Sequence, residues 1–184
     1  MTQHNILGIC GSLRSVSVNR KLLAEAIRLY GPAETQIADI RLPLYDGDLE
    51  TTEGIPQAVN TLAHQIATAE AVIIASPEYN KLIPGVLKNA LDWVSRVKGN
   101  PWRGKPVALM SAAAGRTGGE TGQYTIRHAL TPFRPRFSNG PYLMVADGAN
   151  QFDDAGRLVN ERSRATLTEL MQTLRAEAEQ SRKS

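Results

Sequence analysis

Short β-rich runs alternate with helix-sized amphipathic segments along the 184 residues. That alternation predicts an α/β class with a doubly wound parallel sheet and helices on both faces. Three observations carry the prediction. The run Ala71-Val72-Ile73-Ile74-Ala75 is apolar throughout, as a central strand buried on both sides requires. The intervening stretches place apolar residues at i, i+3 and i+4. Stop signals divide the two kinds of segment, the clearest being Gly31-Pro32.

Each element follows in order. The first strand is predicted over 5–10, and the first helix carries Leu22, Leu23, Ala26, Ile27 and Tyr30 on one face before Gly31-Pro32 ends it. The second strand is read over 35–40, with a loop over 42–48 behind it. The second helix spans about 56–69, with Val59, Leu62, Ala63 and Ile66 as its apolar stripe. After the third strand, 71–75, the third helix follows Pro84, which suits a first-turn position. It carries Val86, Leu87, Ala90, Leu91 and Val94. The fourth strand is expected at 106–110, the fourth helix at 122–130 and the fifth strand at 142–145. A last helix over about 160–179 presents Leu167, Leu170, Met171 and Leu174. Residues 147–158 read as a surface hairpin or turn, and the spacing of Asp153 and Asp154 is not that of an EF-hand loop. Five strands and five helices, without internal repeats, are expected to form one domain over 1–184.

Composition narrows the function. A chain of this length buries roughly 70% of its unfolded surface and needs no staple. The single cysteine, Cys10, lies in the apolar run 6–10, reads as a buried thiol and excludes an internal disulfide framework. The first residues lack a basic segment followed by a long apolar one, and the apolar runs fall well short of the ~20 residues that span a bilayer. The expectation is a cytoplasmic protein without membrane contact. The net charge of +3, from 21 basic and 18 acidic residues, is too small to argue for nucleic acid. It is enough to help attract small anions.

In doubly wound sheets ligands sit beyond the carboxyl ends of the strands, where the strand order reverses. The loops after strands one, three and four therefore hold the candidate site. The first, 11–20, offers Ser12, Arg14, Ser17 and Asn19 directly before a helix. Convergent hydroxyls, a guanidinium fork and a helix N-terminus suit a phosphate group. Ser17 and Asn19 as simple helix caps, with Arg14 solvated, is the plainer alternative. The loop has neither the G-x-G-x-x-G spacing of a dinucleotide fingerprint nor the G-K-[ST] of a P-loop. The second loop contains Pro77, Glu78, Tyr79 and Asn80, a tight polar turn with one aromatic ring; an ordinary strand-to-helix turn fits it equally well. The third, 111–119, combines Ser111, three alanines, Gly115, Arg116 and two further glycines, so that backbone can approach a ligand closely. A flexible loop is its alternative.

These motifs together resemble the NADPH-dependent FMN reductase family, which includes quinone, chromate and ferric-chelate reductases. Gly11-Ser12-Leu13-Arg14 with Ser17-Val18-Asn19 is similar to the family's phosphate loop. Pro77-Glu78-Tyr79-Asn80, then Pro84-Gly85 and Lys88-Asn89-Ala90-Leu91-Asp92-Trp93, is similar to its most specific signature. The resemblance covers about 5–130. It implies a flavodoxin-like five-stranded sheet in the order 2-1-3-4-5 and FMN as cofactor. Ser12, Arg14, Ser17 and Asn19 would hold the phosphate, with Pro77, Glu78, Tyr79, Asn80, Ser111 and Gly115 bordering the ring. Lys88, Asn89, Asp92 and Trp93 are read as mainly structural, and Arg116 departs from the family's pattern.

The implied activity is passage of hydride from NADH or NADPH to bound FMN and of two electrons to a quinone, ferric chelate or chromate. The flavin carries the chemistry, so no side chain is assigned as general acid or base. His4, His64 and His128 lie away from the three loops. A homodimer or homotetramer is implied, with Arg96 and Lys98 near the expected dimer face. Two alternatives are a flavodoxin-like electron carrier, against which the basic charge balance argues, and a flavin reductase supplying reduced FMN to a partner monooxygenase. A flavin-independent nucleotide-binding module on the same fold is a third, which the colour of the purified protein separates.

Overall fold

The computed structural model describes residues 4–182. Strand β1 (His4–Cys10) leads into α1 (Val18–Tyr30), and β2 (Ala33–Ile37) returns beside it. A short helix α2 (Gly47–Glu53) precedes α3 (Gln57–Thr68), β3 (Ala71–Ala75) and α4 (Gly85–Val94). Next come β4 (Pro106–Ala112), α5 (Glu120–Leu130), the short strands β5 (Arg136–Phe137) and β6 (Leu143–Val145), and the long α6 (Glu161–Ser181).

All strand pairs are parallel and run in the order β2-β1-β3-β4-β5, with β6 also on β4. This is the expected 2-1-3-4-5 order, with its fifth position shared by two segments. β5 pairs with the start of β4, at Pro106↔Arg136 and Val107↔Phe137. β6, which falls within the expected strand over 142–145, pairs with the end of β4 at Met110↔Leu143 and Ala112↔Val145. The break between them has a steric cause. Pro141 has no N–H to donate, and a β-carbon on Gly140 would stand 2.9 Å from Leu170 Cδ1 and 3.1 Å from Leu170 Cα. The chain leaves the sheet there to meet α6, then rejoins it.

Side chains on the central strands alternate between two cores with the period of two that a strand imposes. Ile6, Cys10, Ile73 and Met110 pack under α1 and α6 with Leu22, Leu167 and Leu174. Leu7, Ile9, Val72, Ile74 and Leu109 pack under α3, α4 and α5 with Leu62, Leu87 and Ile126. Both faces are therefore covered. No helix among the described residues is long and apolar enough to cross a membrane.

Three differences from expectation have a local cause. β2 begins earlier than 35–40, because its register starts at His4↔Ala33; after Ala38 N–H donates to Gly8 O the ladder ends. Pro84 sits one position outside α4, as its N-cap, with extended backbone at ψ 139°. Helix α2 overlaps the expected loop over 42–48. Asp46 caps it by accepting from Asp48 N–H at 2.9 Å, and none of its residues is buried.

Candidate functional site

Strand β1 connects to β2 on one side and has β3 on the other, so the strand order reverses between β1 and β3. The loops beyond β1, β3 and β4 meet at that edge because the ladder continues past the strand ends. Gly11 N–H donates to Ala75 O at 2.9 Å, Ser76 N–H to Met110 O at 3.1 Å and Ala113 N–H to Val145 O at 3.1 Å. Close approach depends on Gly11, where a β-carbon would stand 2.2 Å from Ser76 Oγ and 3.1 Å from Ser76 Cα.

The first loop folds over the N-terminus of α1. Ser12 is buried, and its hydroxyl accepts from Arg14 N–H at 3.3 Å. Arg14 itself is exposed, as are Ser15 and Val16. Ser17 is the N-cap, accepting from Asn19 N–H at 3.2 Å, and lies in hydrogen-bond reach of the Cys10 thiol. Burial pushes that thiol upward, as expected of an inert cysteine. Asn19 is committed elsewhere: its Nδ2 donates to Ala112 O at 2.8 Å and its Oδ1 accepts from Ala112 N–H at 2.9 Å. It fastens α1 to the end of β4. Two arginines outside the expected set complete the rim. Arg20 Nε donates to Arg14 O at 3.0 Å, and Arg41, from the loop after β2, donates to Leu13 O at 3.3 Å. Arg41 directly follows the expected second strand, whose loop is not among the three that the sequence points to.

The second loop divides its residues between interior and surface. Pro77 is buried, while Tyr79 and Asn80 are exposed on a two-residue turn. Tyr79 and Leu82 exchange backbone hydrogen bonds of 3.1 and 3.0 Å, and Asn80 and Lys81 take left-handed φ values of 51° and 68°. That geometry is a type I′ turn. Glu78 turns toward α5, where Oε2 accepts from Gly122 N–H at 2.9 Å. In the third loop Ser111 is buried, donating to Gly118 O at 2.7 Å and accepting from Gln123 Nε2 at 2.9 Å. Gly115 is exposed with open space where a β-carbon would be, and Arg116 is exposed beside it. Gln123, another buried residue that the sequence did not single out, also donates to Leu143 O at 2.7 Å and so ties α5 to β6.

The stretch 88–93 holds a fourth segment in place. Asn89 Nδ2 and Trp93 Nε1 both donate to Pro43 O, at 2.9 and 2.8 Å, and Asn89 Oδ1 accepts from Tyr45 N–H at 2.9 Å. The Tyr45 ring meets Trp93 edge-on at 5.0 Å. Arg96 pairs with Glu50 of α2 at 2.8 Å. His4 lies at the opposite end of β1, hydrogen-bonded to the Tyr30 hydroxyl at 2.6 Å.

FMN fits this donor set. A guanidinium and serine hydroxyls at the start of α1 suit a dianionic phosphate, and the exposed Tyr79 turn and small-residue loop 113–119 leave an open edge for a flat ring. Fold and site together define an FMN-binding α/β oxidoreductase.

The chain belongs to the NADPH-dependent FMN reductase family, whose sequence pattern matches residues 4–150. It is 42% identical over 171 residues to an NAD(P)H-dependent FMN reductase of Pseudomonas aeruginosa, covering 92% of each chain. It is 37% identical over 170 residues to a quinone reductase of Escherichia coli K12, covering 89% of each. Among solved structures, the flavoenzyme NAD(P)H:(acceptor) oxidoreductase FerB from Paracoccus denitrificans superposes with a TM-score of 0.86 at 28% identity, over 96% of this chain and 98% of that one. The protein is an enzyme of this flavin-dependent kind.

Proposed function

We propose that the protein is an NAD(P)H:acceptor oxidoreductase that uses bound FMN to pass two electrons from NADH or NADPH to a small acceptor, such as a quinone, a ferric chelate or chromate. One observation carries the reading: the loop holding Ser12 and Arg14 at the N-terminus of α1 adjoins the Tyr79 turn and loop 113–119 at the reversal of strand order. FMN supplies a ring that accepts hydride at N5 and donates electrons onward.

The protein's own part is positioning. Ser12, Arg14 and Ser17 hold the phosphate. Backbone groups of 77–80 and 113–119 fix the ring's edge and supply N–H dipoles where negative charge develops. The exposed Tyr79 side leaves room for a nicotinamide and then an acceptor to stack in turn. The relatives named above, one called an FMN reductase and one a quinone reductase, support the same reading. We place the enzyme in the cytoplasm as a homodimer or homotetramer formed from the single domain 1–184.

The test is anaerobic stopped-flow absorbance of FMN-loaded protein mixed with NADH or NADPH and then with a quinone. Rapid bleaching of the flavin band followed by full recovery is the expected result. Failure of both nucleotides to bleach it would overturn the reading in favour of an electron carrier.

A further inference from the structure

Helix α5 begins behind Gly119, an N-cap with no side chain to accept from the first-turn N–H groups. Glu78, 44 residues away on the loop after β3, takes that place by accepting from Gly122 N–H at 2.9 Å. The fit is close: a β-carbon on Gly122 would stand 3.0 Å from Glu78 Cβ and 3.2 Å from Glu78 Cα. The other carboxylate oxygen, Oε1, lies 3.2 Å from Lys81 Nζ, so the same side chain braces the Tyr79 turn from beneath. Lys81 sits at φ 68°, a conformation that strains a residue with a β-carbon and persists only where its surroundings enforce it. With both oxygens engaged and its side chain only 11% exposed, Glu78 has no oxygen left to act as a ligand's partner.

We propose that Glu78 is a positioning residue: one carboxylate sets the spacing of the Tyr79 turn against loop 113–119 and counters the positive end of α5 between them. The inference rests on the FMN reading, which places those two segments along the ring. Burial pushes the Glu78 carboxyl upward, but the Gly122 and Thr121 N–H groups and the Lys81 ammonium outweigh it and hold the group below the usual carboxylate range. Its charge is therefore present at neutral pH, and removing it makes the neighbouring edge more positive.

The experiment compares wild type, Glu78→Gln and Glu78→Ala in three readouts. Amide hydrogen exchange of Gly122, measured without FMN, is slow in wild type and speeds up in Glu78→Ala. FMN titrated by fluorescence binds roughly tenfold more weakly to Glu78→Ala, as loss of a charged hydrogen bond implies, and Glu78→Gln recovers most of that loss because its carbonyl still accepts. The midpoint potential of bound FMN moves to more positive values in Glu78→Gln, which keeps the hydrogen bond and loses the charge. Rapid Gly122 exchange in wild type, or an unmoved potential in Glu78→Gln, overturns the proposal, and the second holds even where Glu78→Ala fails to fold. Wild type that protects Gly122 yet binds no FMN overturns the FMN reading itself, and the positioning role with it.

Discussion

Arg14 and Asn19 stand in one loop, and both are residue types that bind phosphate, yet the fold uses them differently. Both amide atoms of Asn19 are taken by the backbone of Ala112, in a position only 1% exposed. Asn19→Ala strands a buried N–H and a buried C=O, each costing about 1–3 kcal/mol, so a loss of about 2–6 kcal/mol is expected in urea unfolding. Arg14 is exposed, so Arg14→Ala should leave unfolding within about 0.5 kcal/mol of wild type. The same substitution should weaken FMN binding by about 1–3 kcal/mol in a fluorescence titration. Unchanged affinity would remove Arg14 from the phosphate site. Residue type and loop position made both legible as candidates. The direction of the Asn19 amide was not legible, because its partner is 93 residues away.

Among the α-helices, those with a buried stripe were readable and the one without was not. Helices α1, α3, α4 and α6 each bury a recurring apolar set, so their periodicity located them. Helix α2 buries nothing and is made by local chemistry alone, with Asp46 as its cap and Gly54 at φ 79° closing it. Capping residues were present there, but no apolar pattern drew attention to them. The join between β1 and β3 also acts at this scale. Gly11→Ala would crowd the Ser76 hydroxyl and, at 3.1 Å, the Ser76 Cα, so rotating the hydroxyl away is not sufficient relief. Destabilisation of about 1–3 kcal/mol is expected in thermal unfolding. Adding Ser76→Gly should return part of it, and a wild-type melting point for Gly11→Ala alone would refute the crowding.

For the molecule as a whole, one source of pH-dependent stability lies at the end of the sheet away from the candidate site. His4 is buried between β1, α1 and α6, with Tyr30 hydrogen-bonded to it and Glu179 at 3.7 Å. Burial lowers its pKa, Arg175 and Arg182 lower it further, and Glu70 and Glu179 oppose them. Burial also pushes Tyr30 up to about 12, so its hydroxyl stays protonated through the neutral range. The folded state thus favours neutral His4. Its contribution is complete above the unfolded value of about 6.5 and is lost as pH falls through the lowered folded value. Denaturation midpoints should fall with acidification below about pH 6.5, and His4→Gln, which cannot take up a proton there, should show a flatter profile. Equal slopes in the two proteins would exclude His4 as the source.

The sequence by itself determined the α/β class, the three loops at the carboxyl edge and the family, because strand burial, helix periodicity and loop chemistry are written in neighbouring residues. Only the tertiary structure decided which of those loop residues stay exposed and which hold the scaffold. Asn19 turns to β4, Glu78 to α5 and Ser111 to Gln123. It also divided the fifth sheet position between β5 and β6, where Gly140 meets α6. In each case the deciding partner comes from another element, and a polar side chain turns inward only when strand register and helix packing bring that partner within hydrogen-bond reach.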